Sequence, residues 1–264
     1  MKIKYASAHR WLKPVPNDAL ASFGKNSRAR LRSALPKIAA LPVRNEIAKL
    51  DEAFLERFLP RYEARIGEKR HPVVFDVRAK TLGSAKADRY YAMSLYEGDR
   101  FLGGTIFAIR KDRLAVAYRT YENAWHGARL QANPSLYVEY CLNIHAKEIG
   151  VAYIVHGKDR NPYGVNSNIG LAAFKLAAGC HAEIPRKFEI GELDTETCAE
   201  DALVLEYPGD EPRAPIRRAY LVTTAETEAA WTQVVKYPHL LSVATIYRTK
   251  RPEDALLRLG TNVA

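Results

Sequence analysis

The chain has 264 residues, a formal net charge of +10, and 47% hydrophobic and 10% aromatic residues, a composition typical of one large globular domain or two small ones. No apolar run approaches the roughly 18 residues that a membrane-spanning helix needs, so we expect no transmembrane segment. The three cysteines, Cys141, Cys180 and Cys198, are an odd number at wide spacings, which argues against a disulfide framework.

The amino-terminal segment bears on where the protein acts. The first twelve residues, MKIKYASAHRWL, lack the apolar stretch of a secretory signal. Together with the cysteine usage this favours a reducing compartment, and we expect a cytoplasmic protein.

The positive charge is concentrated at the amino-terminal end. Residues 1–44 contain ten Lys and Arg against one acid, Asp18, which is +9; the rest of the chain contains 30 against 29, which is +1. Such a patch attracts polyanions such as nucleic acid, an anionic membrane surface or a phosphorylated substrate. A solvated cationic face with no partner is the alternative, whereas the strand-like MKIKYA at the start of the chain argues against a transit peptide.

The densest basic segment, KNSRARLRSALPK, predicts a short amphipathic helix. Arg28 and Arg32 are four residues apart on one helical face beside Leu31 and Leu35, and Pro36 is expected to end the helix. The candidate contacts to a polyanion are Lys25, Arg28, Arg30 and Arg32.

Three predicted strands follow a predicted helix. The spacing of Ile47, Leu50, Phe54 and Phe58 predicts a helix over 44–67 that is broken at Pro60. The segments 89–98, 100–110 and 113–123 resemble strands joined by short turn-like connections, which predicts an antiparallel meander.

Helices and strands alternate after the meander. Asn133 and Pro134 resemble an N-cap and first helical position, followed by a helix to Gly150. The later predicted elements are a buried strand over 151–157, a polar loop, a helix over 169–179, a strand pair near 181–190 and 201–208, and a helix over 225–237. This order predicts an α+β fold with a mixed sheet rather than a doubly wound sheet.

Several site motifs are absent from the sequence. It contains no G-x-S-x-G elbow, no H-E-x-x-H, no paired C-x-x-C and no P-loop, so hydrolase, zinc-enzyme and NTPase functions lack support, and no metal is implied.

Three segments, in this order, resemble the GNAT-like acyltransferase superfamily, specifically its Fem-like branch of aminoacyl-tRNA-dependent transferases. They are KNSRARLRSALPK, then GGTIFAIRKDRLAVAYRTYEN with NPSLYVEYCLNIHAKEIG, then GLAAFK, and the resemblance spans roughly residues 22–190. It implies a GNAT-like mixed sheet flanked by helices, a meander followed by helix, strand, helix, strand, strand. The expected segments are a basic helical region over 1–70, an acyltransferase core over 71–208 and a helical segment over 209–264.

The resemblance assigns roles within GLAAFK. In Fem-like enzymes the lysine of this helix faces the cleft where the aminoacyl ester meets the acceptor amine. Lys175 would therefore stabilise the oxyanion of a tetrahedral intermediate or pair with the terminal phosphate of the RNA donor, and Phe174 would pack near the terminal adenine. Alternatively, Phe174 belongs to the core and Lys175 reaches water along its methylenes.

The ends of the central elements hold the candidates for acid–base chemistry. His156 ends a predicted strand beside Lys158 and Asp159, and near its ordinary pKa it could take the amine proton. Glu139 faces the same cleft in this fold, although its i, i+4, i+8 alignment with Asn143 and Lys147 is equally typical of a solvated stripe.

Further candidates lie on the third strand of the meander and in the polar loop. Alternation places Arg119 and Tyr121 on one face of the strand and Tyr118 on the other. The catalytic candidates are therefore Lys175, His156, Glu139 and Tyr121. The donor or tRNA candidates are Phe174, Lys25, Arg28, Arg30, Arg32 and Lys158. The substrate candidates are Tyr118, Arg119, Tyr163 and Asn168.

The expected reaction is transfer of an aminoacyl group from aminoacyl-tRNA to the amine of a small-molecule or peptidyl acceptor, in antimicrobial resistance or natural-product biosynthesis, with no other cofactor. The segment AWHGARLQANP lacks the glycine-rich loop that usually binds the pyrophosphate of coenzyme A. An acyl-CoA-dependent N-acyltransferase is the alternative function. A non-catalytic protein that binds RNA or a membrane through its basic segment is the third.

Overall fold

The computed structural model describes residues 1–68, 74–122, 134–209, 211 and 213–248, and these form an α+β fold, as the sequence predicted. The helices are α1 Lys25–Ala39, α2 Glu52–Gly67, α3 Val77–Lys80, α4 Pro134–Glu148 and α5 Ile169–Ala177. The strands are β1 Lys2–Ala6, β2 Ala8–Pro14, β3 Val43–Lys49, β4 Tyr90–Glu97, β5 Arg100–Arg110, β6 Arg113–Tyr121, β7 Tyr153–Arg160, β8 His181–Glu183, β9 Ile190–Asp194, β10 Ala202–Leu205, β11 Pro215–Ile216, β12 Arg218–Thr223 and β13 Ser242–Tyr247.

The chain forms two compact units. The meander unit comprises Trp11–Gly157 and Ala177–Cys180, and the α5 unit comprises Met1–Arg10, Lys158–Leu176 and the chain from His181 onward. These units do not coincide with the three segments expected from the sequence, because β2 and β7 each contribute residues to both.

The meander unit contains the predicted antiparallel strands. β4, β5 and β6 pair in order, with Tyr91 opposite Phe107 and Thr105 opposite Arg119, so the predicted meander is confirmed. The strand order in this unit is β2–β7–β6–β5–β4–β3. Of these neighbours, β6 and β7 are parallel, which makes the sheet mixed.

The predicted helix over 44–67 is wrong in its first part. Val43–Lys49 forms the edge strand β3, paired antiparallel with β4, and the helix begins only after Asp51, whose carboxylate caps the backbone N–H of Phe54 at 2.8 Å. The helix also continues through Pro60 to Gly67. Pro60 lies on the exposed side of α2, as does Glu56, whose carbonyl loses its helical partner and can bond to water instead.

Helices pack on both faces of this sheet. One apolar cluster joins α1 and α4 to the sheet through side chains such as Ile38, Met93 and Leu142. A second cluster joins α2 to the opposite face through side chains such as Phe58 and Ile106. Each large side chain that is fully buried in this way contributes roughly 1.5–3 kcal/mol to folding, so both helical layers hold the sheet in place.

The α5 unit is rich in short strands. β1 pairs antiparallel with β9. A three-stranded sheet has the strand order β10–β12–β13. β11 pairs with β8, and β8 is the neighbour of β2. The predicted helix α5 is confirmed over Ile169–Ala177. Of the predicted pair over 181–190 and 201–208, the structure has the short strands β8 and β10, and these two do not pair with each other.

The helical carboxy-terminal segment expected over 209–264 is wrong where the structure describes it. β11, β12 and β13 lie there, and the predicted helix over 225–237 is reduced to two 3₁₀ turns, Glu228–Trp231 and Val234–Lys236. Helix propensity in this alanine-rich stretch is outweighed by the pairing of the flanking strands β12 and β13, which run parallel over six residue pairs.

No helix in the described ranges is long and apolar enough to span a membrane.

Candidate functional site

Strands β6 and β7 separate inside the meander unit. They pair only over Arg113–Ala115 and Tyr153–Val155. Beyond these three pairs the described residues of β6 continue along β5 alone, up to Tyr121. Backbone groups of β6 that leave the ladder on this side need other partners.

A β-bulge lies in β6 at this point. Tyr118 faces Ile106 across the pair with β5, whereas Val116 faces the next residue, Phe107, so Ala117 is the extra residue. Ala117 is exposed. A bulge disrupts the ladder and redirects backbone groups, so the peptide groups of Ala117 are redirected where β7 leaves β6.

The side chains after the bulge point to the faces of the sheet that the sequence predicts. Tyr121 packs with the cluster on the α4 side of the sheet, and Tyr118 packs with the cluster on the α2 side. The Tyr121 hydroxyl shares a 2.7 Å hydrogen bond with Thr105, and burial raises its pKa. The Tyr118 ring meets Tyr62 edge-on, and burial raises its pKa to about 12. Both phenols therefore keep their protons at neutral pH.

Four ionisable side chains of the meander unit form the Glu139 cluster: Lys13, Arg119, Glu139 and His156. One oxygen of the Glu139 carboxylate, Oε2, lies 3.0 Å from Lys13 Nζ and 3.4 Å from His156 Nε2, and the other, Oε1, lies 2.6 Å from an Arg119 nitrogen. Lys13 and Glu139 are fully buried, and the Arg119 side chain is 15% exposed. The cluster places three basic groups around one acid.

The pKa shifts of Glu139 and His156 follow from these contacts. Burial alone would raise the pKa of Glu139, but His156, Lys13 and Arg119 outweigh it and hold this pKa well below its usual range. Burial likewise would lower the pKa of His156, but the Glu139 carboxylate raises it. The expectation of an ordinary pKa for His156 is therefore wrong, because the carboxylate favours its protonated form.

The solvated stripe considered for α4 is also wrong for two of its three residues. Glu139 and Asn143 are fully buried, and the Asn143 amide donates to the carbonyl of Ala19 at 2.7 Å. Lys147 is exposed and donates to the carbonyl of Asn17. A polar i, i+4 pattern here marks a face that meets buried polar partners.

Four side chains of the α5 unit form the Lys175 network: His9, Asp159, Tyr163 and Lys175. Asp159 Oδ2 accepts from Lys175 Nζ at 2.6 Å and from the Tyr163 hydroxyl at 2.7 Å, and His9 Nε2 lies 2.6 Å from that hydroxyl. The Lys175 side chain is only 6% exposed. The alternative in which Lys175 extends to water is therefore wrong.

The other predicted residues of this unit lie in varied settings. Phe174 is half-buried, and Lys158 is exposed on β7. The Asn168 side chain accepts from the backbone N–H of Gly170 at 2.7 Å at the start of α5, which is a capping contact. Tyr163 is fully buried.

The predicted basic helix is present as α1 in the meander unit. It continues past Pro36 to Ala39, so the predicted end is wrong. Pro36 is exposed, and so is Arg32, the residue whose carbonyl the proline leaves without a helical partner. Lys25, Arg30 and Arg32 are exposed, whereas the half-buried Arg28 donates to the carbonyls of Ala21 and Phe23.

The sequence does not single out Lys13 and His9 as site residues. Both lie in the strand β2, and their partners are 126 and 154 residues away. The available signal was a histidine and a lysine on either side of the apolar Trp11 and Leu12. The glycine-poor segment AWHGARLQANP lies outside the described residues, apart from Pro134.

Comparison with known proteins identifies the fold. A scan against protein-family models and a search of curated proteins both found no match. Among solved structures, the chain is similar to FemX, with a TM-score of 0.51 and 13% identity, over 66% of this chain and 59% of FemX. It also shows a TM-score of 0.44 and 14% identity to the C-terminal domain of a putative lysylphosphatidylglycerol synthetase from Agrobacterium fabrum, over 72% of this chain and 60% of that one.

A third similar structure is that of L-PGS from Bacillus licheniformis, with a TM-score of 0.42 and 13% identity, over 64% of this chain and 49% of that one. The chain thus spans about 59% of the length of FemX. Together with the meander and the parting of β6 from β7, the likeness to FemX shows that this chain has a GNAT-like fold of the Fem type.

Proposed function

We propose that this protein is an acyltransferase that moves an aminoacyl group from aminoacyl-tRNA to the amine of a small-molecule or peptidyl acceptor. The observation that carries the proposal is the exposed bulge at Ala117, at the point where β6 and β7 separate. A redirected backbone N–H at such an opening is suited to bind a carbonyl oxygen that becomes negative during acyl transfer.

The reaction is an aminolysis of an ester. The neutral acceptor amine attacks the ester carbonyl and forms a C–N bond, and the bond from that carbon to the terminal ribose oxygen of the tRNA breaks. The amine loses one proton and the ribose oxygen gains one, so charge and protons balance. The protein needs to position the two reactants and stabilise the oxyanion, and no covalent intermediate with the protein is required.

The Glu139 cluster supports an oxyanion in the meander unit. Its two cations, Lys13 and Arg119, exceed the single carboxylate of Glu139 by one charge, and protonation of His156 adds another. Positive charge held in a buried site stabilises a developing negative charge more strongly than it would in water. We assign Arg119 to this task because it is the most exposed of the four side chains.

The α5 unit supplies the second part of the proposal. Lys175 is a buried cation held at a fixed point, suited to a phosphate of the donor. Phe174, half-buried beside it in sequence, offers an aromatic face for the terminal adenine of the donor.

The surface of α1 supports RNA as the carrier of the acyl group. Its buried residues Ser27, Leu31, Ala34 and Ile38 follow one stripe, and its exposed basic residues include Lys25, Arg30 and Arg32. Exposed cations on a fixed helix bind phosphates without sequence preference. Aminoacyl-tRNA is a cytoplasmic donor, which agrees with the expected location of the protein.

The experiment is a donor competition with purified protein. Total tRNA charged with radiolabelled amino acids and, separately, radiolabelled acetyl-CoA are incubated with a panel of amines and amino sugars, and amide products are separated by chromatography. We expect product from aminoacyl-tRNA only, and its loss when the donor is treated with ribonuclease beforehand. Product from acetyl-CoA, or persistence after ribonuclease, would establish the acyl-CoA alternative instead.

A matched pair of variants separates catalysis from RNA binding. Lys175→Met should remove product formation and leave tRNA binding by α1 intact, whereas Arg30→Gln with Arg32→Gln should weaken tRNA binding. If tRNA binds and no donor yields product with any amine, the protein belongs to the non-catalytic class.

A further inference from the structure

The hydrogen bonds of the Lys175 network have a defined direction. The Tyr163 hydroxyl has one proton, and it donates this proton to Asp159 Oδ2 at 2.7 Å. His9 Nε2, 2.6 Å from the same hydroxyl, must therefore be the donor in that contact. The chain of bonds runs from His9 to Tyr163 to Asp159, where it meets the ammonium of Lys175.

The network is neutral overall and nearly closed to water. Burial lowers the pKa of His9 to about 3, so its imidazole carries no charge at neutral pH. Burial would raise the pKa of Asp159, but the charge of Lys175 and the hydrogen bonds from Lys175 and Tyr163 outweigh it and lower this pKa. The side chains of Lys175 and Asp159 are 6% and 10% exposed, so one cation and one anion face each other with little solvent screening.

We propose that Asp159 is a positioning residue that holds the Lys175 ammonium as a fixed cation for aminoacyl transfer, and that Tyr163 and His9 orient its carboxylate. This inference rests on the proposed function. It changes the role expected for Tyr163, which contacts Asp159 and His9 rather than a substrate.

The geometry explains why a free lysine would serve less well. A lysine side chain loses rotamer entropy when it is fixed, and a preorganised charge avoids that loss at the moment of reaction. Asp159 Oδ2 accepts hydrogen bonds from two donors. Tyr163 therefore orients the carboxylate, and the carboxylate in turn orients the Lys175 ammonium. His9, buried on β2, in turn fixes the Tyr163 hydroxyl.

The kinetic test uses near-isosteric variants. Asp159→Asn should lower kcat by about 10- to 100-fold with little change in KM for the amine, because the ammonium is no longer held in place. Tyr163→Phe should lower kcat by about 3- to 10-fold through the same carboxylate. Asp159→Glu restores the charge and should recover part of the loss.

The control is Asp201→Asn in the same unit. Asp201 accepts hydrogen bonds from Thr227 and Trp231 and pairs with Arg248, and it shares none of these partners with the Lys175 network. It should lower stability without lowering kcat. Equal losses of kcat in Asp159→Asn and Asp201→Asn would overturn the proposal, since both would then reflect stability alone.

A second measurement needs no substrate. Acetic anhydride labels only the neutral amine, and mass spectrometry reads labelling of Lys175 across pH against the exposed Lys158 as internal reference. A buried ammonium without its counter-charge loses its proton more readily. We expect the midpoint of Lys175 labelling to move to lower pH in Asp159→Asn, which removes its ion-pair partner, and to stay unchanged in Asp201→Asn.

The two measurements distinguish the two possible failures. If no donor gives product but the labelling midpoint moves as expected, the proposed function fails and the assigned network of Lys175 stands. If product forms and neither kcat nor the labelling midpoint responds to Asp159→Asn, the function stands and the positioning role is refuted.

Discussion

Burial of His9 makes this protein less stable as the pH falls, and a single substitution removes that dependence. The imidazole lies fully buried against Tyr163, and burial lowers its pKa from 6.5 to about 3. His9→Gln retains a side-chain N–H that can donate to Tyr163 but cannot take up a proton. The difference between the two proteins therefore isolates the titration of His9.

The expected magnitude follows from proton linkage. Between pH 6.5 and about 3 the unfolded chain binds a proton at His9 and the folded chain does not, so stability falls as the pH falls through this range. With those two values, the His9 contribution to the free energy of unfolding drops by about 2 kcal/mol between about pH 7 and pH 5. This is a large fraction of the roughly 5–15 kcal/mol that holds a typical domain folded.

The assay is urea unfolding of both proteins at the two pH values, followed by far-UV circular dichroism. The wild type should lose about 2 kcal/mol more than His9→Gln between about pH 7 and pH 5. His156 titrates with the opposite sign because its pKa is raised, but it is common to both proteins and cancels from the comparison. Equal losses in both proteins would refute a buried, neutral His9.

Three further outcomes are expected. Arg30→Gln combined with Arg32→Gln should reduce the slope of log affinity for tRNA against log salt by about 1.5 without changing Tm, measured by fluorescence anisotropy; an unchanged slope would exclude α1 from the RNA contact. Glu139→Gln leaves three basic groups around a neutral amide and should lower the free energy of unfolding by about 3–5 kcal/mol in urea titration, whereas a loss under about 1 kcal/mol would contradict the ion pairing. Gly103→Ala should destabilise by more than about 1 kcal/mol in the same titration, because φ is +138° and the added Cβ would lie 2.3 Å from the carbonyl oxygen of Thr120; a neutral effect would disprove that close approach.

The parts of the fold that the sequence predicted correctly are those decided locally. The strands β4, β5 and β6 are separated by short turns, and α5 ends near Gly179, so period and turn residues sufficed. β3 was predicted as a helix because Ile47, Leu50 and Phe54 match a helical period. Its pairing with β4 is a non-local interaction that no local pattern reports.

The same distinction applies to the candidate site. Lys175, Glu139 and His156 could be singled out by residue type and position. Their burial and their ion-pair partners could not be predicted, because partners such as Lys13, which is 126 residues from Glu139, are distant in the sequence. Glu139 at an i, i+4 spacing from Asn143 predicts a solvated stripe equally well, since the pattern is the same whether that face meets water or buried cations.

The buried charges are not explained by stability alone. The α5 helix is otherwise apolar, with Leu176 and Ala172 buried, and an apolar residue in place of Lys175 would match its surroundings. A buried ion pair is commonly no more stabilising than a well-packed apolar pair, because both charges lose their hydration. The Glu139 cluster contains more positive charge than ion pairing requires. One cation would balance the carboxylate of Glu139, but the cluster contains two cations and a histidine. An excess of buried positive charge is costly to the folded protein and useful to a reaction that develops a negative oxygen, which is the chemistry we propose for this fold.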